Sequence, residues 1–197
     1  MFVVIKKQTL WLRLHLDKRA SVFLSLYISF ILIILFPMIF TNELIEELIS
    51  CAKKITGAPK NAGIGRGSKK TKFSMESLDG EHFFTGFISE NIAFQENFSI
   101  GLVYYPKDEK SSLVLARCNG PHGPNEFAPH HKGPHIHKAT AEHIAAGLKP
   151  ESGQIITDVP YTTIEDAIQH YVRFINIVPV DRQKHFPPPN NQPELPF

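Results

Sequence analysis

Apolar residues change their spacing several times along these 197 residues, and each change marks a different kind of element. From Ser21 to Phe40 runs SVFLSLYISFILIILFPMIF, uncharged and almost wholly apolar. At about 1.5 Å per residue such a stretch is long enough to cross a hydrocarbon core of roughly 30 Å. It predicts an apolar leader helix, a candidate transmembrane helix over 21–40, behind a basic flank over 1–20 that holds Lys6, Lys7, Arg13, Lys18 and Arg19. Translated as written, the chain reads as a single-pass membrane protein. The alternative is a start at Met38, which makes the leader an artefact of an upstream start codon and places the domain in the cytoplasm.

The spacing then becomes helical. Thr41 is a candidate N-cap, acids crowd the first turns, Lys53 and Lys54 close the last, and Leu44, Ile45, Leu48, Ile49, Ala52 and Ile55 share one face. A first helix is expected over 42–56, ended by Gly57 and Pro59. Between 71 and 119 the period drops to two in TKFSMESLD, HFFTGFISE, NFSIGLVYYP and SLVLARCN, which read as antiparallel strands separated by turn chemistry such as Asp79-Gly80. A short further strand is expected at PHIHKAT. Helical spacing returns after a capping box at Thr162-Thr163-Ile164-Glu165, with Ile164, Ala167, Ile168, Tyr171 and Ile175 on one side. These elements predict a single α+β domain over 41–178. It consists of an antiparallel sheet of about four to five strands, with an N-terminal and a C-terminal helix packed on it. The proline-rich tail over 179–197 is expected to be disordered.

Charge changes this picture little. The chain carries a formal net charge of +2, and its basic excess lies in the first 37 residues, so a globally basic nucleic-acid binder is excluded. Two cysteines, Cys51 and Cys118, give neither a disulfide framework nor a cysteine-rich zinc site. One local positive segment stands out, AGIGRGSKKTK over 62–72. Ser68 breaks both the Walker and the dinucleotide glycine patterns. The segment therefore reads as a flexible connection or as a phosphate or nucleic-acid grip by Arg66, Lys69 and Lys70.

Candidate chemistry concentrates in NGPHGPNEFAPHHKGPHIHKATAEH, which holds six of the ten histidines. Its prolines keep it out of any long helix, and strand alternation puts His135 and His137 on one face with Ile136 and Lys138 on the other. Two imidazoles at i and i+2 can share one metal ion or one phosphate, with His122, His130 or His131 as a third partner. As an acid/base pair, His135 and His137 with His122 are the candidate catalytic residues for cleaving a phosphodiester, and Arg117 or Lys138 can steady the phosphate. As a metal site, His122, His135 and His137 are the candidate ligands for zinc or another divalent ion. The third alternative is a hydrogen-bonded lattice that fixes a proline-rich loop.

The stretches RCNGPHG at 117–123 and HIHKATAE at 135–142 resemble an uncharacterised family of small bacterial domains. Its signature is Asn-Gly-Pro-His followed by His-x-His-x-Ala-Thr, and it is loosely associated with toxin–antitoxin and mobile-element neighbourhoods. The resemblance carries over Asn119, Gly120, Pro121, His122, His135, His137 and Thr140, and implies a cytosolic bacterial protein with an antitoxin-like partner. The resemblance leaves the activity open, and the residues themselves give three expectations: a ribonuclease-like toxin or phosphoesterase acting on RNA, a metal-binding hydrolase or module, and a non-enzymatic nucleic-acid or protein binding module.

Overall fold

The structure is a computed structural model, and it describes residues 40–107, 111–123 and 128–189. Seven strands form one sheet in sequential order: β1 (Lys53–Gly65), β2 (Ser68–Ser77), β3 (Phe83–Asn91), β4 (Phe98–Tyr105), β5 (Leu113–Asn119), β6 (His135–Lys138) and β7 (Gln154–Ile156). Every neighbouring pair is antiparallel. Among the described residues four short helices accompany it: α1 (Asn42–Ser50), α2 (Ala141–Ala145), α3 (Ile164–Phe174) and α4 (Pro179–His185).

The expected fold therefore needs correction in its sheet, which has seven strands rather than four to five. The first addition is β1. KKITGAPKNAGIG pairs with β2 through several register shifts, and its glycines and Pro59 are tolerated because β1 is an edge strand. The supposed flexible connection over 62–72 is the tip of this β1–β2 hairpin, turned by Arg66 and Gly67, both at positive φ. The second addition is β7, three residues on the opposite edge.

Helix α1 begins where expected, with Thr41 Oγ1 accepting a bond of 3.2 Å from the Leu44 N–H, and it buries Ile45, Leu48 and Ile49. It stops at Ser50 rather than at 56, because Lys53 enters the sheet. The Lys53 ammonium still meets the helix C-terminus, donating to the carbonyls of Ile49 and Cys51 at 2.8 Å each. Helix α3 starts one residue later than the capping box suggested: Thr163 Oγ1 accepts from the Asp166 N–H at 3.2 Å. The tail is not wholly irregular, since α4 occupies its start, while residues 190–197 lie outside the described residues.

The membrane-spanning assignment gains no support from the described residues. Among the described residues no helix is long and apolar enough to cross a membrane; the longest, α3, has 11 residues, about half of what a bilayer requires. The expected leader helix over 21–40 lies, apart from Phe40, outside the described residues.

The two faces of the sheet differ. One carries the core, in which Phe73, Phe84, Ile100, Leu102, Cys118 and Ile136 are buried with Ile45 and Leu48 of α1 and Tyr171 and Val172 of α3. Tyr171 donates its hydroxyl to the Gly101 carbonyl at 2.8 Å, and Phe186, just after α4, packs edge-on against Phe73 with ring centroids 5.1 Å apart. By alternation, the opposite face presents Lys72, Phe87, Gly101, Arg117, Asn119, His135 and His137.

Candidate metal centre

The centre is built where β5 and β6 pair on the face away from the core. Arg117 stands opposite His137 and Asn119 opposite His135. As alternation requires, Ile136 turns into the core and Lys138 forms an ion pair with Glu46 of α1. Lys138 is thus engaged elsewhere and supplies no charge to the histidines.

The connection from β5 to β6 folds back over this face. Asn119 and Gly120 are buried, and Gly120 has no room for a side chain: a Cβ there would lie 2.0 Å from the Glu96 carbonyl oxygen. The Asn-Gly-Pro-His motif therefore includes a position where two backbones touch. The chain then reaches His122, whose N–H donates to the His131 carbonyl at 3.1 Å. His131 belongs to a 3-10 helical turn, Pro129–Lys132, that also carries His130. This turn brings both side chains down upon β6.

Four imidazoles converge as a result. His130, His131, His135 and His137 each offer one ligand nitrogen, and those atoms all lie within 4.8 Å of one another. Within the group, His135 Nε2 lies 3.1 Å from His137 Nε2. His135 has its tautomer fixed, because its Nδ1 lies 2.8 Å from the Gly133 carbonyl oxygen and must donate to it. The lone pair is then on Nε2 and faces His137, with the Asn119 amide nitrogen 3.4 Å away. A backbone carbonyl fixing one imidazole nitrogen so that the other points at a common centre is the usual support of a metal-ligating histidine.

His135 is fully buried and His137 is 5 % exposed. Burial pushes both down to about 4, reinforced in each by the neighbouring imidazoles and in His137 by Arg117. Burial, with the same kind of neighbours, also lowers His131. At neutral pH His131, His135 and His137 are therefore neutral, the form in which imidazole binds a metal.

Several buried polar atoms here have no partner: His130 Nε2, His137 Nδ1, Arg117 Nε and, on neighbouring β4, Ser99 Oγ. These make up most of the orphaned buried side-chain atoms among the described residues, and such groups are costly unless something satisfies them. The donor set, neutral nitrogen without a carboxylate or thiolate in the group, fits zinc or another first-row divalent ion rather than calcium or magnesium. Two nitrogens bound to one tetrahedral zinc at 2.0–2.1 Å lie about 3.3 Å apart, close to the 3.1 Å observed.

The expected site residues separate into three groups. His135 and His137 are at the centre. His122 lies beside it, its ring tilted at 39° against His131 with centroids 4.1 Å apart and its Nδ1 donating to the Gly120 carbonyl at 2.9 Å, but it is not among the four converging ligands. Arg117 neighbours His137 across the ladder, and its Nη2 is 3.7 Å from Glu151 Oε1. The trio Arg66, Lys69 and Lys70 is divided between the tip and the two faces of one hairpin. Arg66 is at the hairpin tip, whereas Lys69 and Lys70 are consecutive in β2 and point to opposite faces. Cys118 faces the core, where burial pushes its thiol up to about 12.

Sequence reasoning named His130 and His131 only as possible third partners. Their usable signal was the doubled histidine between Pro129 and Pro134, a spacing that forces a turn beside the His-x-His strand. Glu151 and Ser99 gave no signal, since nothing local ties them to the histidines.

No family model, no curated protein and no solved structure matches this chain.

Proposed function

We propose that this protein is a metal-binding domain in which His130, His131, His135 and His137 hold one zinc or other divalent transition-metal ion. The observation that carries this reading is the 3.1 Å approach of two neutral, buried Nε2 atoms, one of them with its tautomer fixed by Gly133. When bound, such an ion acts as a Lewis acid toward a phosphoryl or carbonyl oxygen. The chain's own part is to supply neutral ligands, hold the β5–β6 connection over them and keep Arg117 at the rim.

A second reading, a ribonuclease-like phosphoesterase with His135 and His137 as acid and base, draws support from Arg117 beside His137 with its Nε unpartnered. It ranks lower, because a general acid must hold a proton at neutral pH and burial favours the neutral form of both rings.

Elemental analysis of the purified protein tests the first reading. One ion per chain is expected, lost on His135→Ala or His137→Ala and retained on His143→Ala, whose ring bonds Thr140 instead. A protein that stays metal-free after dialysis against zinc, cobalt or nickel and shows no cobalt ligand-field spectrum would overturn it. Metal-independent cleavage of a phosphodiester, abolished by His137→Ala, would establish the second.

A further inference from the structure

The core-free face of the sheet continues from the histidine centre into a row whose lysines and phenylalanine neither reading uses. The ladder registers place Lys60, Lys72, Phe87, Gly101, Arg117 and His137 side by side on β1 to β6. Neighbouring strands are about 4.8 Å apart, so the line from Lys72 to His137 is about 19 Å long. Lys60 and Lys72 are exposed, and Lys70 stands on the same side one row along, opposite Ser89.

Phe87 lies in the middle of this row. A Cβ on Gly101 would sit 2.3 Å from the Phe87 ring and 3.2 Å from Arg117 Cγ. The ring therefore lies over the bare glycine backbone and beside the arginine stem, yet it is only half-buried. Two acids of the described residues near this face are already paired, Glu76 with Lys54 at 2.8 Å and Glu151 with Arg117 at 3.7 Å. The face thus combines an aromatic ring with an excess of positive charge, although the chain as a whole is close to neutral.

We propose that this face binds single-stranded nucleic acid, with its phosphates along Lys60, Lys72 and Lys70, a base stacked on Phe87, and the strand leading across Arg117 to the histidine centre. Single strands suit the arrangement because stacking needs an unpaired base, while lysines on extended strands follow a backbone without reading its sequence. The shared chemistry is the phosphodiester strand, whether from RNA or DNA. The inference is independent of the metal reading.

Fluorescence anisotropy on the full chain, both metal-stripped and zinc-loaded, tests it with labelled oligo-uridine, oligo-thymidine and a DNA duplex of equal length. Both single strands are expected to bind more tightly than the duplex, with affinity falling as salt rises. Lys60→Gln and Lys72→Gln should each weaken binding and lower the salt slope by about 0.7. Phe87→Leu, which keeps an apolar cover on Gly101, should weaken it about 5- to 100-fold, while Lys184→Gln on α4 should change nothing. Preference for oligo-uridine would assign the ligand to RNA, and equal affinity to the common backbone; either sustains the proposal. Absence of single-strand binding, tighter binding of the duplex, or single-strand binding unmoved by the two lysine changes would overturn it. The lysines are surface residues, so this arm holds even if Phe87→Leu fails to fold. Because the metal-stripped protein is measured too, failure of the metal centre and failure of this face are separate results.

Discussion

Lys53 has no exposed surface, yet it is the residue that joins the helices to the sheet. Its ammonium donates to the carbonyls of Ile49 and Cys51 at the end of α1 and of Ile175 after α3, at 2.8, 2.8 and 3.0 Å, and lies 4.8 Å from the Phe84 ring centroid. Helix C-termini leave carbonyls unsatisfied, and one buried cation serves two of them. Lys53→Met strands these acceptors, and a loss of about 2 kcal/mol in urea unfolding is expected. Burial also pushes the Lys53 ammonium down to about 8 from 10.5. The unfolded chain therefore holds this proton over a range in which the folded chain has released it, so the contribution of Lys53 to stability increases from pH 8 to its full value above 10.5. Unfolding at pH 7 and at pH 10 should show the wild-type gaining relative to Lys53→Met at the higher pH. A gap that narrows instead would contradict this assignment.

At the scale of elements, strands β2 to β5 were legible because one face of each meets a core and the other does not, which writes period two into the side chains. Strands β1 and β7 were not, because an edge strand is held by the backbone of its neighbour. Glycines, Pro59 and several bulges erase the alternation in β1 without preventing pairing. Its free amides are partly covered as well, Ile55 donating to Asp181 Oδ2 of α4 at 2.7 Å. Inside the legible strands, glycines carry aromatic partners: Phe73 lies across from Gly86, as Phe87 does from Gly101. A Cβ at Gly86 would fall 2.1 Å from the Phe73 ring, which is buried at the centre of the core and cannot swing away. Gly86→Ala is expected to cost about 1–3 kcal/mol by overpacking, read as a lower thermal midpoint with the strand content of the circular dichroism spectrum retained. An unchanged midpoint would mean that the Phe73 ring has freedom this packing denies it.

For the molecule as a whole, the proposed metal centre and the chain path are one problem. Among the described residues the backbone bonds of the β5–β6 connection tie it mainly to itself, His122 to His131 and His131 to Ala128 at 3.1 and 3.0 Å, while Gly120 fastens its start to the Phe98 carbonyl of β4 at 3.0 Å, so bridging by a metal between this turn and β6 would add restraint. Hydrogen exchange at the His122 and His131 amides should therefore accelerate on chelation, while core amides such as Ile100 keep their protection. Uniform exchange with and without metal would show the loop to be held by its own contacts. What the amino-acid order determined was whatever depends on neighbours within a few residues: the caps of α1 and α3, the period of β2 to β5, and the fact that His135 and His137 project together from one strand. What it left open depends on segments far apart in the chain, namely the two edge strands, the choice of His130 and His131 over His122, the pairing of Lys138 with Glu46, and the alignment of Lys72, Phe87 and Arg117 in one row. Local steric and hydrogen-bonding preferences act over a turn or a strand pair, whereas these arrangements exist only once the sheet has set its registers and brought distant residues within ångströms of each other.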